Sequence, residues 1–271
     1  AGVESMSQAP MPPSFKPGAP LGSQYSPREL ARYQDNPLIP QGTSSELMNK
    51  RFGLTREALD AFAVRSHQRA IAASQAGRVQ DQLVRLNEDP ADPDSPLVTA
   101  DEGMRADPNP EKMATLKPVF AADGATTAAN SSQISDGAAA LLIASRAYAK
   151  QHGLKPRARF VSTAVAAADP VIQFTAVLDA TRKALKESGL TLADIDLFEV
   201  NEAFSGVPLM FQQEFGIPDD RLNVNGGSVA IGHPLGSAGA RILTDLLCEL
   251  ARRGGRYGLQ TICEASGTAN T

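Results

Sequence analysis

Apolar residues recur at helical spacing after Thr55: Leu59, Phe62, Ala63, Ser66, Ala70 and Ala73 fall on one stripe, and Gly77 closes it. Thr55-Arg56-Glu57 is a suitable opening, so the spacing predicts a helix from there to Gly77. The same reasoning predicts helices over 146–152, 177–188, 203–215 and 239–253, the first three closed by Gly153, Gly189 and Gly216. Continuous apolar runs predict strands over 138–145, 159–165, 197–200 and 258–263. The first, small and apolar throughout, is expected to be covered on both faces, and 197–200 is expected to be buried. From 159 onward strand and helix alternate, the signature of a layered α/β domain. Residues 7–50 carry Pro10, Pro12, Pro13, Pro17 and Pro20 among serine, glycine and glutamine, and are predicted to be loop with little regular structure. A second stretch rich in proline and aspartate, 87–110, is read as a functional or oligomer-forming excursion.

Composition narrows the classes. The 271 residues, 42% hydrophobic and 21% charged, suit one large or two modest globular domains. No apolar stretch approaches the length of a membrane span, so no membrane association is expected. A net charge of -4 with scattered lysines and arginines leaves no basic field for nucleic acid. Two cysteines, 248 and 263, point to free thiols in a reducing, cytoplasmic setting. Three histidines and two cysteines offer no cluster of metal ligands, so no metal is expected. The chain opens on Ala1-Gly2-Val3, read as the end of a buried strand, and closes on Ala269-Asn270-Thr271 after a glycine turn with no strand to follow. Both ends suggest a piece of a longer protein, whose own N-terminus could carry a targeting signal.

Candidate chemistry concentrates in the last quarter. Asn201-Glu202-Ala203-Phe204 follows an apolar strand, and Asn201 also suits a helix N-cap. Asn225-Gly226-Gly227 leads into Gly232-His233-Pro234, where turns hold the imidazole. Cys263 ends a strand and is followed by Glu264-Ala265-Ser266-Gly267, an arrangement that offers a thiol at a sheet's carboxyl end. Cys248 lies on a predicted helix and is most simply core. An amide, an imidazole and a thiol thus each stand at a turn or at the end of a strand in the last quarter of the chain.

In that order these segments resemble the thiolase family, over nearly the whole chain and most strongly from Asn201 to Gly267. The resemblance implies an α/β thiolase fold, layered αβαβα with an inserted loop domain and an incomplete N-terminal half. It divides the chain into 1–134, mainly loop domain; 135–156, the end of the N-terminal half; and 157–271, the C-terminal half. It gives His233 the deprotonation of a nucleophilic cysteine, Cys263 the acid/base role toward the reacting carbon with a thiol tuned toward neutral pH, and Asn201 the orientation of a water at the thioester carbonyl. The family's Cys-x-Gly-Gly-Gly is here Cys263-Glu264-Ala265-Ser266-Gly267, and the Ala265 N–H is the candidate oxyanion donor. Arg105, within Asp101-Glu102-x-x-Arg105, and Ser132, within Asn130-Ser131-Ser132, match positions facing coenzyme A, where an ion pair and a turn are the plainer readings. Phe120 and Phe204 are candidate pocket walls or core.

The resemblance also implies coenzyme A and acyl-CoA as substrates with no separate cofactor, and a homodimer or homotetramer. The acyl-carrying cysteine would precede Ala1, leaving this chain alone inactive. Short-chain biosynthetic relatives carry His-Met-Gly-x-Thr-Ala-Glu where this chain has Pro40-Gln41-Gly42-Thr43-Ser44-Ser45-Glu46, which points to a broad or longer-chain degradative 3-ketoacyl-CoA thiolase. The alternatives are a short-chain acetyl-CoA acetyltransferase, a thiolase-like protein that condenses without thiolysis, and an acyl-CoA-binding subunit.

Overall fold

A computed structural model describes residues 1–9, 26–33 and 39–271. In chain order they form strand β1 (Gly2–Ser5), helices α1 (Pro27–Arg32), α2 (Gln41–Phe52), α3 (Arg56–Gln75) and α4 (Pro110–Ala114), strand β2 (Asp136–Ala139), helix α5 (Arg146–Gln151), strand β3 (Val165–Ala167) and helix α6 (Ala176–Ser188). Strand β4 (Leu197–Val200), helices α7 (Gly206–Phe215), α8 (Ser228–Ile231) and α9 (Leu235–Arg253), and strands β5 (Gly258–Glu264) and β6 (Thr268–Asn270) complete it. Strands β1 and β2 pair as an antiparallel ribbon. The main sheet has the order β3-β6-β5-β4, with β4 and β5 parallel and the other pairs antiparallel.

The main sheet is covered on both faces. Alternation along β4 sends Phe198 and Val200 into the principal core with Phe174, Val177, Met210 and Phe211, while Leu197 packs with Val224 and Leu246 on the α9 side. Complete burial of a side chain such as Phe198 contributes about 1.5–3 kcal/mol. Helix α6 packs on β3, β5 and β6; α9 packs on β4, β5 and the β1–β2 ribbon. The α/β layering read from the sequence is therefore present. The α3 stripe is also as expected: Leu59, Phe62, Ala63, Ser66, Ala70 and Ala73 are all buried, and Thr55 caps the helix by accepting from the Ala58 N–H at 3.3 Å.

Several sequence expectations change. Pro10, Pro12, Pro13, Pro17 and Pro20 lie outside the described residues, but the remainder of 7–50 includes α1 and the whole first part of α2. Helix α2 lacks a strong apolar stripe, and polar bonds stabilise it: Ser44 Oγ donates to Val171 O at 2.6 Å, and Glu46 accepts from the Ala125 and Thr126 N–H groups at 2.9 Å. The run 138–145 is strand only to Ala139, and Leu142 and Ile143 are 84% and 69% exposed. Coverage on both faces needs a layer on each, and among the described residues α9 supplies one. For the same reason Val3 in β1 is exposed rather than buried. Arg159–Val165 is strand only from Val165. Helix α7 starts at Gly206, because residues 203–205 pair instead with 130–132: Ser132 N–H donates to Ala203 O at 3.0 Å and Ser205 N–H to Asn130 O at 2.9 Å. The closing residues are a strand after all, with β6 between β3 and β5. Among the described residues no helix is long and apolar enough to cross a membrane, and no group of three or more His, Cys, Asp or Glu is placed to hold a metal ion.

Candidate active site

Parallel pairing carries the carboxyl ends of β4 and β5 to one edge of the sheet. Val200 lies opposite Thr261, and the Asn201 N–H donates to Thr261 O at 3.1 Å. Two residues beyond Thr261, Cys263 sits opposite Ala269 in the β5–β6 hairpin, one pair before its turn. Asn201 is thus not the N-cap of α7, which starts five residues later; its side chain is free to work at the sheet edge.

His233 reaches the same edge from the loop before α9. Gly232 has φ +85, and a Cβ there would lie 1.9 Å from Ser135 Oγ, so both its conformation and its surroundings require glycine. The His233 N–H donates to Gln133 O at 3.0 Å, and the Gln133 amide donates to the carbonyls of Gly103, Val229 and Ala230 at 2.9–3.1 Å. The imidazole is thereby aimed at Asn201, whose Nδ2 is 3.1 Å from His233 Nε2. Behind Asn201, Ser228 Oγ donates to Asn201 Oδ1 at 2.9 Å, and Arg241 Nη2 donates to Ser228 Oγ at 3.0 Å.

Burial dominates the electrostatics. It lowers His233 to about 4, with the Arg241 charge acting in the same direction, so the ring is neutral at pH 7. Burial pushes the Cys263 thiol up to about 12, although its own backbone and the Asn201 amide act as hydrogen-bond partners that favour the thiolate. The sequence reading of a thiol tuned toward neutral pH is therefore corrected: Cys263 packs against the main core and rests protonated, equipped to give a proton before it takes one.

The remaining predicted residues sort into two groups. Ser132 and Phe204 are tied to the trio by the backbone pairing of 130–132 with 203–205, and Gln133 adjoins Ser132 while holding His233. Phe120 stands edge-on to Phe204 at 6.0 Å between centroids, and Phe174 also packs edge-on to Phe204 at 5.6 Å. Arg105 is exposed; its backbone N–H donates to the buried His67 Nδ1 at 3.2 Å, and its loop reaches the site through the Gly103 carbonyl on Gln133. Ala265 is exposed in the hairpin turn, with its carbonyl accepting from Thr268 Oγ1 at 3.3 Å. The next residue, Ser266, has φ +63 and donates its N–H to the buried Gln173, itself at φ +63. Cys248 is half-buried, with Arg157 donating to its sulfur at 3.3 Å, so it is not the core residue the helix position suggested.

Sequence reasoning missed Glu202, Ser228 and Gln133. The fully buried Glu202 accepts from Ser66 Oγ at 2.7 Å, Asn223 Nδ2 at 2.9 Å and the Val229 N–H at 3.1 Å, and so clamps the 223–229 loop against α3. Burial raises its carboxyl, and those three bonds oppose the rise. A Cβ at Gly227 would lie 2.4–2.7 Å from this carboxylate. A glutamate directly after Asn201, between the apolar residues of the preceding strand and Ala203-Phe204, was the available signal. For Ser228 and Gln133 no local pattern distinguishes them from other small or polar residues.

Comparison with known proteins bears on the family and the fold. The model of the thiolase N-terminal domain matches residues 1–147, and that of the thiolase C-terminal domain matches 154–271. A steroid 3-ketoacyl-CoA thiolase of Mycobacterium tuberculosis is 43% identical across 99% of this chain and 65% of its own length. An acetyl-CoA acetyltransferase of Allochromatium vinosum is 42% identical across 83% of this chain and 57% of its own. The chain thus spans about two thirds or less of those curated relatives. The crystal structure of the Bacillus anthracis acetyl-CoA acetyltransferase superposes with a TM-score of 0.86 at 35% identity, covering all of this chain and 69% of that one. With both halves of the chain matched by domain models and the sheet edge built as described, this chain has the α/β thiolase fold and belongs to the thiolase family.

Proposed function

We propose that the protein carrying this chain is an acyl-CoA acyltransferase that cleaves 3-ketoacyl-CoA with coenzyme A, or runs the reverse Claisen condensation. The observation that carries the reading is the Asn201–His233 contact at 3.1 Å beside Cys263, three groups drawn from separate segments to one sheet edge. In this reading a cysteine upstream of Ala1 carries the acyl group, since Cys248 lies on α9 and Cys263 holds the second thiol's position. His233, neutral and unprotonated on one nitrogen, takes that cysteine's proton. The thiolate adds to the C3 carbonyl, the C2–C3 bond breaks, and the departing C2 takes the proton of Cys263. Coenzyme A then displaces the acyl group as a thioester, its thiol proton returns to Cys263, and the released upstream cysteine takes its proton back from His233.

Asn201, with a water, serves the thioester oxygen, and the Ala265 N–H serves a second oxyanion position. Arg105 faces the nucleotide and Ser132 the pantetheine of coenzyme A, which acts as substrate with no separate cofactor. A homodimer or homotetramer and a cytoplasmic setting complete the reading.

For acyl length, the absence of the His-Met pair before Gly42 favours a broad or long-chain substrate. One observation favours the short-chain alternative: a Cβ at Gly42 would lie 2.2 Å from the Phe120 ring, so that ring already occupies the space against α2. Thiolysis by the full-length protein across short to long 3-ketoacyl-CoA substrates separates the readings. Turnover that holds or rises with chain length, and is lost in Cys263→Ala and His233→Ala, is expected. Turnover confined to acetoacetyl-CoA supports the short-chain alternative, and binding without turnover on any substrate overturns both.

A further inference from the structure

Arg241, Ser228, Asn201 and His233 form a single file of hydrogen bonds, and the chemistry of its first member sets the direction of all the rest. Arginine can only donate. Its Nη2 donates to Ser228 Oγ at 3.0 Å, which uses a lone pair of that hydroxyl and leaves the hydroxyl proton to be placed. The acceptor at 2.9 Å is Asn201 Oδ1, and both Ser228 and Asn201 are almost completely buried, so the hydroxyl proton is shielded from bulk solvent. With Oδ1 so engaged, the Asn201 NH2 is the end that meets His233 Nε2 at 3.1 Å. An NH2 group needs an acceptor, and a neutral imidazole has one acceptor nitrogen and one donor nitrogen. Turning the Asn201 amide over would set its NH2 against a hydroxyl already receiving Arg241 and would orphan the hydroxyl proton.

We infer that Ser228 and Arg241 are positioning residues that, through Asn201, hold His233 in the tautomer with Nδ1 protonated and Nε2 bare. His233 Nδ1 is buried and finds no acceptor among the described residues, so the Nδ1–H of this tautomer goes unpaired there and the assignment is carried from the Asn201 side of the ring alone. Arg241 Nε and Nη1 are likewise without partners among the described residues, which leaves the contact to Ser228 as the observed outlet of a buried guanidinium. The consequence for turnover rests on the proposed thiolase reading: a base that must accept a proton at the sheet edge is ready there only if Nε2 is bare in the resting protein. The tautomer itself does not rest on that reading.

The test is nitrogen-15 NMR of the imidazoles in the 271-residue chain at neutral pH, where two-bond correlations to the ring protons distinguish a bare nitrogen from a protonated one. Three histidines make the assignment simple, with His67→Gln and His152→Gln identifying the other two. In the unmodified chain His233 is expected to show a bare Nε2 and a protonated Nδ1. Ser228→Ala should bring in the Nε2-protonated form as the amide turns, while Ser228→Thr, which keeps the hydroxyl, should restore the original pattern. Asn201→Asp presents only acceptors and should move His233 to Nε2–H; it tests the same file by a different residue if Ser228→Ala does not fold. A protonated Nε2 in the unmodified chain, or an unchanged tautomer in folded Ser228→Ala, overturns the inference. Loss of thiolysis in the full-length protein with the tautomer intact would count against the functional reading alone.

Discussion

Strands β4 and β5 and strands β1 and β2 are both paired ribbons lying against α9, yet they end in opposite conditions. β4 is buried along its whole length, with α6 and α7 below it and α9 above, and its end carries Asn201. The β1–β2 ribbon meets the first turn of α9 on one face, and its Val3 and the nearby Leu142 are 75% and 84% exposed. Gly2 allows that close contact, since a Cβ there would lie 1.7 Å from Gly236 O, and Glu4 accepts from the Gly236 N–H at 2.8 Å. The ribbon thus braces the first turn of α9 at Gly236, three residues after His233, whereas β4 and β5 supply the desolvated edge itself. The lesson is that similar apolar runs differ in what they can do according to the layers around them. A hydrogen bond such as Asn201 to His233 is decisive only where water cannot replace it.

The contrast is sharpest in stability. Phe198→Ala, opening a cavity under β4, should cost about 3–5 kcal/mol in denaturant unfolding of the chain. A loss below 1 kcal/mol would mean that the two ribbons differ little in support. Next comes the pH dependence of the buried edge. Folded His233 titrates at about 4 against an ordinary 6.5, so the unfolded chain binds more protons between those values and stability rises with pH there. About 3 kcal/mol should be present above pH 6.5 and lost as pH falls through 4. His233→Asn should flatten that part of the pH–stability curve, and an unchanged slope would show that His233 does not titrate as a buried group.

A smaller effect is expected at the hairpin that presents Cys263. Ser266 stands in the left-handed region at φ +63, where a side chain costs about 1 kcal/mol or more, so Ser266→Gly should stabilise the chain by about that amount. Gly267→Ala, whose Cβ would lie 2.9 Å from Pro170 Cα, should destabilise it, and a thermal melt of both variants checks the pair. Least of all, Leu142→Ser on the uncovered side of the ribbon should shift stability by no more than about 0.5 kcal/mol. A larger loss would place Leu142 in a packed layer.

Much of the fold was legible because its signals are local. The α3 stripe, the α6 and α9 periodicities and the apolar run of β4 are carried by neighbouring residues, and the helices ended by Gly189 and Gly216 stop as read. The failures share a cause. α2 was missed because Ser44, Ser45 and Asn49 are buried through bonds to residues 126 and 171, which no periodicity reports. Ala138–Ser145 was overread because an apolar run states what can be buried and says nothing about whether a layer arrives.

By itself the sequence determined the thiolase resemblance, the alternating α/β order and the identities of Asn201, His233 and Cys263, since each is expressed in short motifs and local spacing. Only the tertiary structure decided that these three meet, that Glu202 clamps the loop before His233, that the Cys263 thiol rests protonated, and that Ser228 and Arg241 stand behind Asn201. Those facts depend on which donor faces which acceptor across tens of residues and on how much water is excluded between them, and both quantities exist only once the layers have packed.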